Sequence, residues 1–166
     1  MSGPFTTRTL LTTTLVVMAA LAVPQVAAAQ ESTVFPAGIA CDFELRVESE
    51  ATPNRVFREW RDSEGNLVRT LEAGRGSDVT LVNTETGASL TLKGNGAVNH
   101  TTYNPDGSWT TKLTGHYVLI LWPTDIPAGP STTLYVGRVT YTSTPDFTFT
   151  LVGSNGTQRN LCAELS

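Results

Sequence analysis

The sequence predicts an all-β protein built from antiparallel strands, and three observations support this prediction. Hydrophobic and polar residues alternate with a period of two in several segments, threonine is frequent in those segments, and glycine-containing turn sequences separate them. Threonine is β-branched and suits the pleated surface of a sheet. We expect about nine or ten strands, arranged as a meander barrel or, as the second possibility, as a two-sheet β-sandwich.

Composition limits the class of protein further. The chain has 166 residues, of which 16% are charged and 40% are hydrophobic, and its formal net charge is −4. These values argue against a coiled coil, a collagen and a disordered chain. The negative charge also argues against a nucleic-acid-binding protein, because such proteins use basic patches to replace the counterions of the phosphates. One domain is expected at this length.

Residues 1–29 have the pattern of a signal peptide. Arg8 is the only charged residue before an apolar run at residues 10–21. This run is too short for a membrane-spanning helix, which needs about 20 residues. Alanines provide the small side chains of a cleavage site, so we expect cleavage after Ala29. The remaining chain, residues 30–166, is predicted to be one secreted, extracellular, monomeric all-β domain without a membrane span.

The two cysteines, Cys41 and Cys162, both lie in the predicted mature chain. An even number of cysteines in an exported chain indicates a disulfide bond. The bond would close a loop of about 120 residues and stabilise the fold by roughly 4–5 kcal/mol. Two thiols and two histidines are a poor basis for a zinc site, and we expect neither a metal nor a cofactor.

The first predicted strand covers residues 41–48, where hydrophobic and charged side chains alternate. Its inward-facing side chains are expected to be Cys41, Phe43, Leu45 and Val47. A later hairpin with its turn at residues 63–65 would place Glu59 opposite Arg69.

The turn at residues 104–107 predicts the register of its hairpin. The sequence Asn-Pro-Asp-Gly at residues 104–107 suits a type I turn with Gly107 in the left-handed conformation. The expected cross-strand pairs are Tyr103 with Trp109, Thr101 with Thr111, and His100 with Lys112.

A two-residue turn at residues 95–96 would pair the preceding strand with the following one and place Leu92 opposite Asn99. Both registers place the same set of side chains on one face of the predicted sheet, and we take this face as the inward one. Its hydroxyl and amide groups could hydrogen-bond to a ligand. The candidate binding residues on this face are Asn99, Thr101, Tyr103, Trp109 and Thr111.

The continuous apolar run at residues 117–122 predicts a strand that is covered on both sides. Three prolines then fall within residues 123–131 and predict a stiff connection outside the strands. Stiff surface loops often carry recognition, so Asp125 in this connection is a further candidate binding residue.

No motif assigns a reaction to the chain. The sequence lacks a phosphate-binding glycine loop, a His-Glu-x-x-His zinc helix and a Gly-x-Ser-x-Gly nucleophile elbow. Nothing supports a catalytic triad around either histidine, since His100 is expected to face outward and His116 to lie at a bulge or at the start of a strand. We therefore expect no catalytic residue.

The favoured interpretation is a non-enzymatic exported module that binds a small ligand, a glycan or a protein partner. A secreted hydrolase that uses a histidine or paired carboxylates is the alternative from another class. A structural surface protein is the third possibility.

Segments spread over the chain include FPAGIACDFELRVE, NTETGASLTLKGNG, YNPDGS, TGH, PTDIPAGPSTTLYVGRVTYT and LCAEL. Together they are similar to a family of small exported proteins of actinomycete bacteria. The resemblance covers nearly all of the predicted mature chain. It implies export, a bond between Cys41 and Cys162 and a Gram-positive setting, and it brings no catalytic residue with it.

Overall fold

The computed structural model describes residues 30–50 and 54–166, and most of this range is β-structure. The expected signal peptide lies outside the described residues. In chain order the elements are β1 (Gln30–Phe35), β2 (Leu45–Glu50), β3 (Arg55–Arg61), β4 (Leu67–Gly74), β5 (Val79–Asn83), β6 (Ser89–Leu92), β7 (Ala97–Tyr103), β8 (Trp109–Leu121), β9 (Ser131–Ser143), β10 (Phe149–Asn160) and α1 (Leu161–Leu165). In this part of the chain, no helix has the length and hydropathy needed to cross a membrane.

The strands form two antiparallel sheets. The small sheet has the order β1-β2-β5-β6, and the large sheet has the order β10-β9-β8-β7-β4-β3. The all-β prediction is confirmed, and the second possibility, the two-sheet sandwich, describes the architecture. The closed meander barrel is not found, because no pairing among the described strands joins β3 to β10. The chain instead changes sheets after β2, β4 and β6.

The hairpin of β7 and β8 follows the register predicted from its turn. The amide of Asn104 donates to the carbonyl oxygen of Ser108 at 2.8 Å, and Gly107 has a φ of 82°. All three expected pairs form, namely Tyr103 with Trp109, Thr101 with Thr111 and His100 with Lys112.

The turn at residues 95–96 does not make the predicted hairpin. Strand β6 pairs with β5 in the small sheet, which places Leu92 opposite Val79 rather than Asn99. This pairing lets Leu92 pack against the core between the sheets. Residues 93–96 then carry the chain across to the large sheet, where β7 pairs with β4 and β8.

The first of the alternating segments is only partly a strand. β2 begins at Leu45 rather than at Cys41. The residues before it form a turn, in which the amide of Gly38 donates to the carbonyl oxygen of Cys41 at 2.7 Å. The predicted alternation of burial is still present, since Cys41, Phe43 and Leu45 are all buried.

The predicted register of β3 and β4 is wrong by one residue, because the pairing shifts between Trp60 and Arg61. Glu59 lies opposite Thr70, and Arg69 lies opposite Trp60. The guanidinium carbon of Arg69 is 4.0 Å from the centroid of the Trp60 ring. Glu59 forms its ion pair with Arg61 on the same strand at 3.0 Å.

The large sheet bends along a row of glycines that crosses its strands. Gly115 of β8 lies opposite Gly137 of β9, which lies opposite Gly156 of β10. Gly115 and Gly137 have φ values of 115° and 137°, which L side chains rarely adopt. A Cβ atom on Gly137 would collide with the carbonyl oxygen of Asn155. Glycine kinks of this kind curve a sheet.

The two faces of the large sheet carry different hydrophobic clusters. One face, which we name the sandwich face, packs Val118, Leu134 and Val136 into the main core against the small sheet. The opposite face, which we name the tyrosine face, carries a second cluster. Its members are Leu113, Tyr117, Leu119, Tyr135, Val139, Tyr141 and Leu151. Strand β8 contributes to both clusters, as the apolar run at residues 117–122 predicted.

Cys41 and Cys162 form the predicted disulfide bond, and their Cα atoms are 5.6 Å apart. The bond joins the turn before β2 to α1, whose Leu161 and Leu165 are buried in the main core. The side chain of Asn160 accepts a hydrogen bond from a backbone amide of this helix at 3.1 Å. A disulfide is compatible with an oxidising, extracytoplasmic compartment.

Candidate functional site

An apolar cleft with a volume of 250 Å³ lies on the tyrosine face, where residues 118–121 at the end of β8 approach Tyr141, Phe149 and Leu151 from the opposite end of the sheet. All its lining residues are aliphatic or aromatic. They are Val118, Leu119, Ile120, Leu121, Tyr141, Phe149 and Leu151. The rings of Tyr141 and Phe149 are 5.2 Å apart and tilted by 51°, so one wall is aromatic. We name this feature the apolar cleft.

Side chains alternate between the two faces of a strand, and this alternation places the leucines of β8 and the phenylalanine and leucine of β10 on the same face of the sheet. Leu119 and Leu121 are two residues apart on β8, and Phe149 and Leu151 are two residues apart on β10. β10 is the edge strand of the large sheet, so no further full strand lies beyond Phe149 and Leu151. These side chains are therefore only partly covered.

The proline-rich connection between β8 and β9 lies against this edge. The amide of Ile126 donates to the carbonyl oxygen of Phe149 at 2.8 Å, and the amide of Leu151 donates to the carbonyl oxygen of Ile126 at 2.7 Å. Ile126 is 57% exposed and Trp122 is 47% exposed. The connection thus extends the sheet by one residue and adds exposed apolar side chains near the apolar cleft.

Asp125 holds the connection in this position. Its carboxylate accepts hydrogen bonds from the backbone amides of Trp122 at 2.7 Å and Phe149 at 3.0 Å. The residue is only 4% exposed. Both carboxylate oxygens therefore bind the protein's own backbone. Asp125 can position one border of the apolar cleft, but it offers little surface to a ligand.

The hydrophobic cluster of the tyrosine face contains a buried hydroxyl group, that of Tyr117. Tyr117 packs against the buried residues Leu113, Tyr135 and Val139 on the tyrosine face, and its hydroxyl has no hydrogen-bond partner among the described residues. Burial raises the pKa of Tyr117 to about 12, with smaller effects from the nearby charges of Arg55 and other groups. The hydroxyl therefore stays protonated at neutral pH and can donate a hydrogen bond.

Comparison of the chain with protein-family models, with curated proteins and with solved structures gives no match.

The structure places the predicted binding residues of β7 and β8 on the tyrosine face, but not around the apolar cleft. The hydroxyls of Thr101 and Thr111 are 3.0 Å apart, and Thr101 also donates to Asn99 at 3.2 Å. Thr101 is 7% exposed and Thr111 is 2% exposed. These three side chains form a hydrogen-bonded polar layer within the fold, which leaves their hydroxyls little accessible to a ligand.

The two aromatic members of the predicted set have different surroundings. Trp109 contacts the ring of Phe147 edge-on, with the centroids 5.6 Å apart. Tyr103 lies opposite Trp109 and is partly buried. Phe147 itself is 66% exposed and has a φ of 64°. This end of the hairpin is an aromatic contact at the surface, separate from the residues that line the apolar cleft.

The residues that line the apolar cleft did not stand out in the sequence. Leu119 and Leu121 belong to a run that predicts complete cover, and Phe149 and Leu151 alternate as in any half-buried strand. The only local signal near them is the density of prolines at residues 123–131.

The two histidines do not form a joint site. His100 lies opposite Lys112, as expected. His116 lies inside β8, opposite Val136, and not at the start of a strand. His116 is four residues beyond Lys112, which is the cross-strand partner of His100. About 13 Å of extended strand therefore separates His116 from the position of His100. No catalytic pairing of the imidazoles follows from this arrangement.

The carboxylates that a hydrolase could use are also engaged in separate places. Glu59 pairs with Arg61 at 3.0 Å, and Asp62 accepts from the backbone amide of Asn66 at 2.9 Å. Glu44 accepts from a threonine hydroxyl at 2.7 Å. Among residues 30–50 and 54–166, no three His, Cys, Asp or Glu side chains are arranged to hold a metal ion.

Proposed function

We propose that this chain is an exported, non-enzymatic β-sandwich protein that binds a small apolar molecule in the apolar cleft. The observation that carries the proposal is the lining of the cleft, to which three strands contribute the aliphatic and aromatic side chains of Leu119, Leu121, Tyr141, Phe149 and Leu151. Val118 and Ile120 also border the cleft, but their side chains pack into the main core on the other face. Concave, mostly apolar sites with few polar groups are the usual places where proteins bind small molecules. The signal-peptide pattern of residues 1–29 and the disulfide bond support export.

The size of the cleft suggests a compact ligand. An apolar cavity of about 150 Å³ holds a benzene molecule, and the apolar cleft has 250 Å³. A substituted aromatic ring or a short acyl chain would fit this space.

Filling the cleft tests the proposal. The probe is Nile red, an uncharged dye whose fluorescence rises in apolar surroundings, titrated into the purified, disulfide-bonded protein. Leu151→Trp adds bulk to a partly exposed lining residue and should weaken binding of the dye at least tenfold. Val98→Trp is the matched control, because Val98 is 39% exposed on β7 and does not line the cleft.

The expected result is a saturable increase in fluorescence that Leu151→Trp removes and Val98→Trp leaves unchanged. Equal binding by the two variants would overturn the proposal. Thermal unfolding of both variants checks that they are folded. Mass spectrometry of protein purified natively from its source would then identify a molecule carried in the cleft.

A protein partner is the second candidate, because Ile126 and Trp122 expose apolar side chains on the proline-rich connection. Ile126→Ser separates the two functions. It should weaken a protein complex that uses this rim, and it should leave Nile red binding within about twofold, because Ile126 is not a lining residue of the apolar cleft.

A further inference from the structure

A second cleft lies where the edge strand β6 of the small sheet approaches the sandwich face of the large sheet. It has two lobes, with volumes of 210 and 250 Å³. Leu92, Lys93, His116 and Leu134 line both lobes. We name this feature the intersheet cleft. Its residues are separate from those of the apolar cleft, apart from Val118, which lines one lobe as well.

The charged side chains that line the intersheet cleft are basic. Arg55 and Lys93 line one lobe, and Lys93 and Arg159 line the other. Among the described residues, no carboxylate lines either lobe. The cleft therefore presents hydrogen-bond donors of positive charge beside apolar walls.

The acids that neutralise these bases lie outside the lining. Glu72 pairs with Arg55 at 2.9 Å, and Asp78 pairs with Lys93 at 2.8 Å. The hydrogen bond to Lys93 is the main reason that the pKa of Asp78 is lowered, and the charge of Glu50 also reaches Lys93. A lysine ammonium has three N–H donors, so a bond to one carboxylate oxygen leaves others available.

His116 adds a polar atom at the junction of the lobes. Its Nδ1 atom is buried, and no described residue forms a hydrogen bond with it. Leu92 and Leu134 line both lobes and Val79 lines one of them, so an apolar surface lies next to this imidazole. A ligand that satisfies the imidazole and Lys93 would also be covered by aliphatic side chains.

We infer that the intersheet cleft binds a compact anion whose acidic oxygens lie between Lys93 and His116. The chemistry that these groups share is recognition of anionic oxygen, as found in a carboxylate or in a phosphate. The apolar walls favour an anion that carries a small hydrocarbon body. This site is independent of the apolar cleft and of the function proposed for it.

The two histidines of the chain allow the inference to be tested directly by NMR. The imidazole signals of His100 and His116 are assigned with the variant His100→Gln, and benzoate or inorganic phosphate is titrated at constant pH and ionic strength. The signals of His116 should shift saturably, while those of His100 stay in place. Saturation by benzoate alone indicates a carboxylate site, and saturation by phosphate alone indicates a phosphate site.

Two lysine variants provide the matched comparison, because the chain has only Lys93 and Lys112. Lys93→Gln should weaken anion binding at least fivefold, and Lys112→Gln, which removes the same charge from an exposed position on β8, should change it less than twofold. Equal weakening by both variants would mean general attraction to a charged surface and would overturn the inference, as would a titration that never saturates.

Leu151→Trp separates this inference from the proposed function. If benzoate binds in the intersheet cleft, this variant keeps the wild-type affinity. If its affinity for benzoate falls together with that for Nile red, benzoate occupies the apolar cleft. That result would contradict the anion site and leave the proposed function standing.

Discussion

His116 and Tyr117 are consecutive residues of β8, and their side chains lie on opposite faces of the large sheet. Each carries a buried polar atom, Nδ1 of His116 and the hydroxyl of Tyr117, without a hydrogen-bond partner among the described residues. Leaving such an atom unpaired costs about 1–3 kcal/mol. Stability alone does not explain two unpaired polar atoms in consecutive residues, and both residues line the intersheet cleft.

Tyr117→Phe should make the protein more stable. The substitution removes the unpaired hydroxyl and keeps the ring in the cluster of the tyrosine face, so we expect the free energy of unfolding to rise by about 1 kcal/mol. Urea unfolding measures the change. Tyr103→Phe, at a hydroxyl that is not both buried and unpaired, is the control and should have little effect. A loss of stability in Tyr117→Phe would show that the hydroxyl has a partner in the folded protein.

Gly137→Ala should destabilise the fold strongly. The new Cβ atom would meet the carbonyl oxygen of Asn155 in the neighbouring strand, and φ at this position is 137°. Steric overlap inside a packed structure costs about 1–3 kcal/mol, and we expect the upper part of that range. Gly153→Ala is the control, because a Cβ atom there has no atom within 4 Å. Similar melting temperatures for the two variants would show that the bend tolerates a side chain.

Replacing both cysteines by alanine should lower the free energy of unfolding by about 4 kcal/mol, because the bond closes a long loop and restricts the unfolded chain. Cys41 and Cys162 are separated by 121 positions. The comparison is between the Cys41→Ala, Cys162→Ala double variant and the oxidised wild type in urea. Treatment of the wild type with a reductant should have the same effect. A loss below about 1 kcal/mol would mean that the core alone holds α1 in place.

Stability should fall in acid as the turn carboxylates become protonated. A hydrogen bond from the Ser108 side chain lowers the pKa of Asp106, and one from Lys93 lowers the pKa of Asp78. A carboxyl group whose pKa is lower in the folded state stabilises the fold above its unfolded pKa, near about 4, and loses this contribution as the pH falls through the folded value.

Melting temperatures of the wild type and of Asp106→Asn, measured from pH 7 to pH 2, test this prediction. The difference between the two proteins should be largest at neutral pH and should shrink below about pH 4. Asp42→Asn, at an exposed position before β2, is the control. A difference for Asp106→Asn that stays constant over the whole range would contradict the assignment of the effect to ionisation.

The parts of the fold that local chemistry determines were predictable from the sequence. The turn at residues 104–107 has the residues that its backbone requires, and the pairing of Thr101 with Thr111 follows from it without any knowledge of the other strands. The bond between Cys41 and Cys162 was predictable because only two cysteines are available.

Features that depend on contacts between distant segments were not predictable in this way. The turn at residues 95–96 suits a hairpin, but Leu92 lies beside Val79 because β6 completes the small sheet. The one-residue error at Glu59 comes from a register shift that no turn residue signals. The alternation of hydrophobic and polar residues is the same whether the hydrophobic face of a strand is covered or open. It could therefore not show that Leu151 borders a cleft.

The disulfide bond has a consequence for the exposed proline-rich connection. Cys41 lies before this connection and Cys162 lies after it, so a protease that cuts between residues 123 and 130 leaves two fragments linked through sulfur. On a gel without reductant the nicked protein would run as a single species of nearly unchanged mass. A severed backbone at this position would therefore not release either half of the molecule into solution.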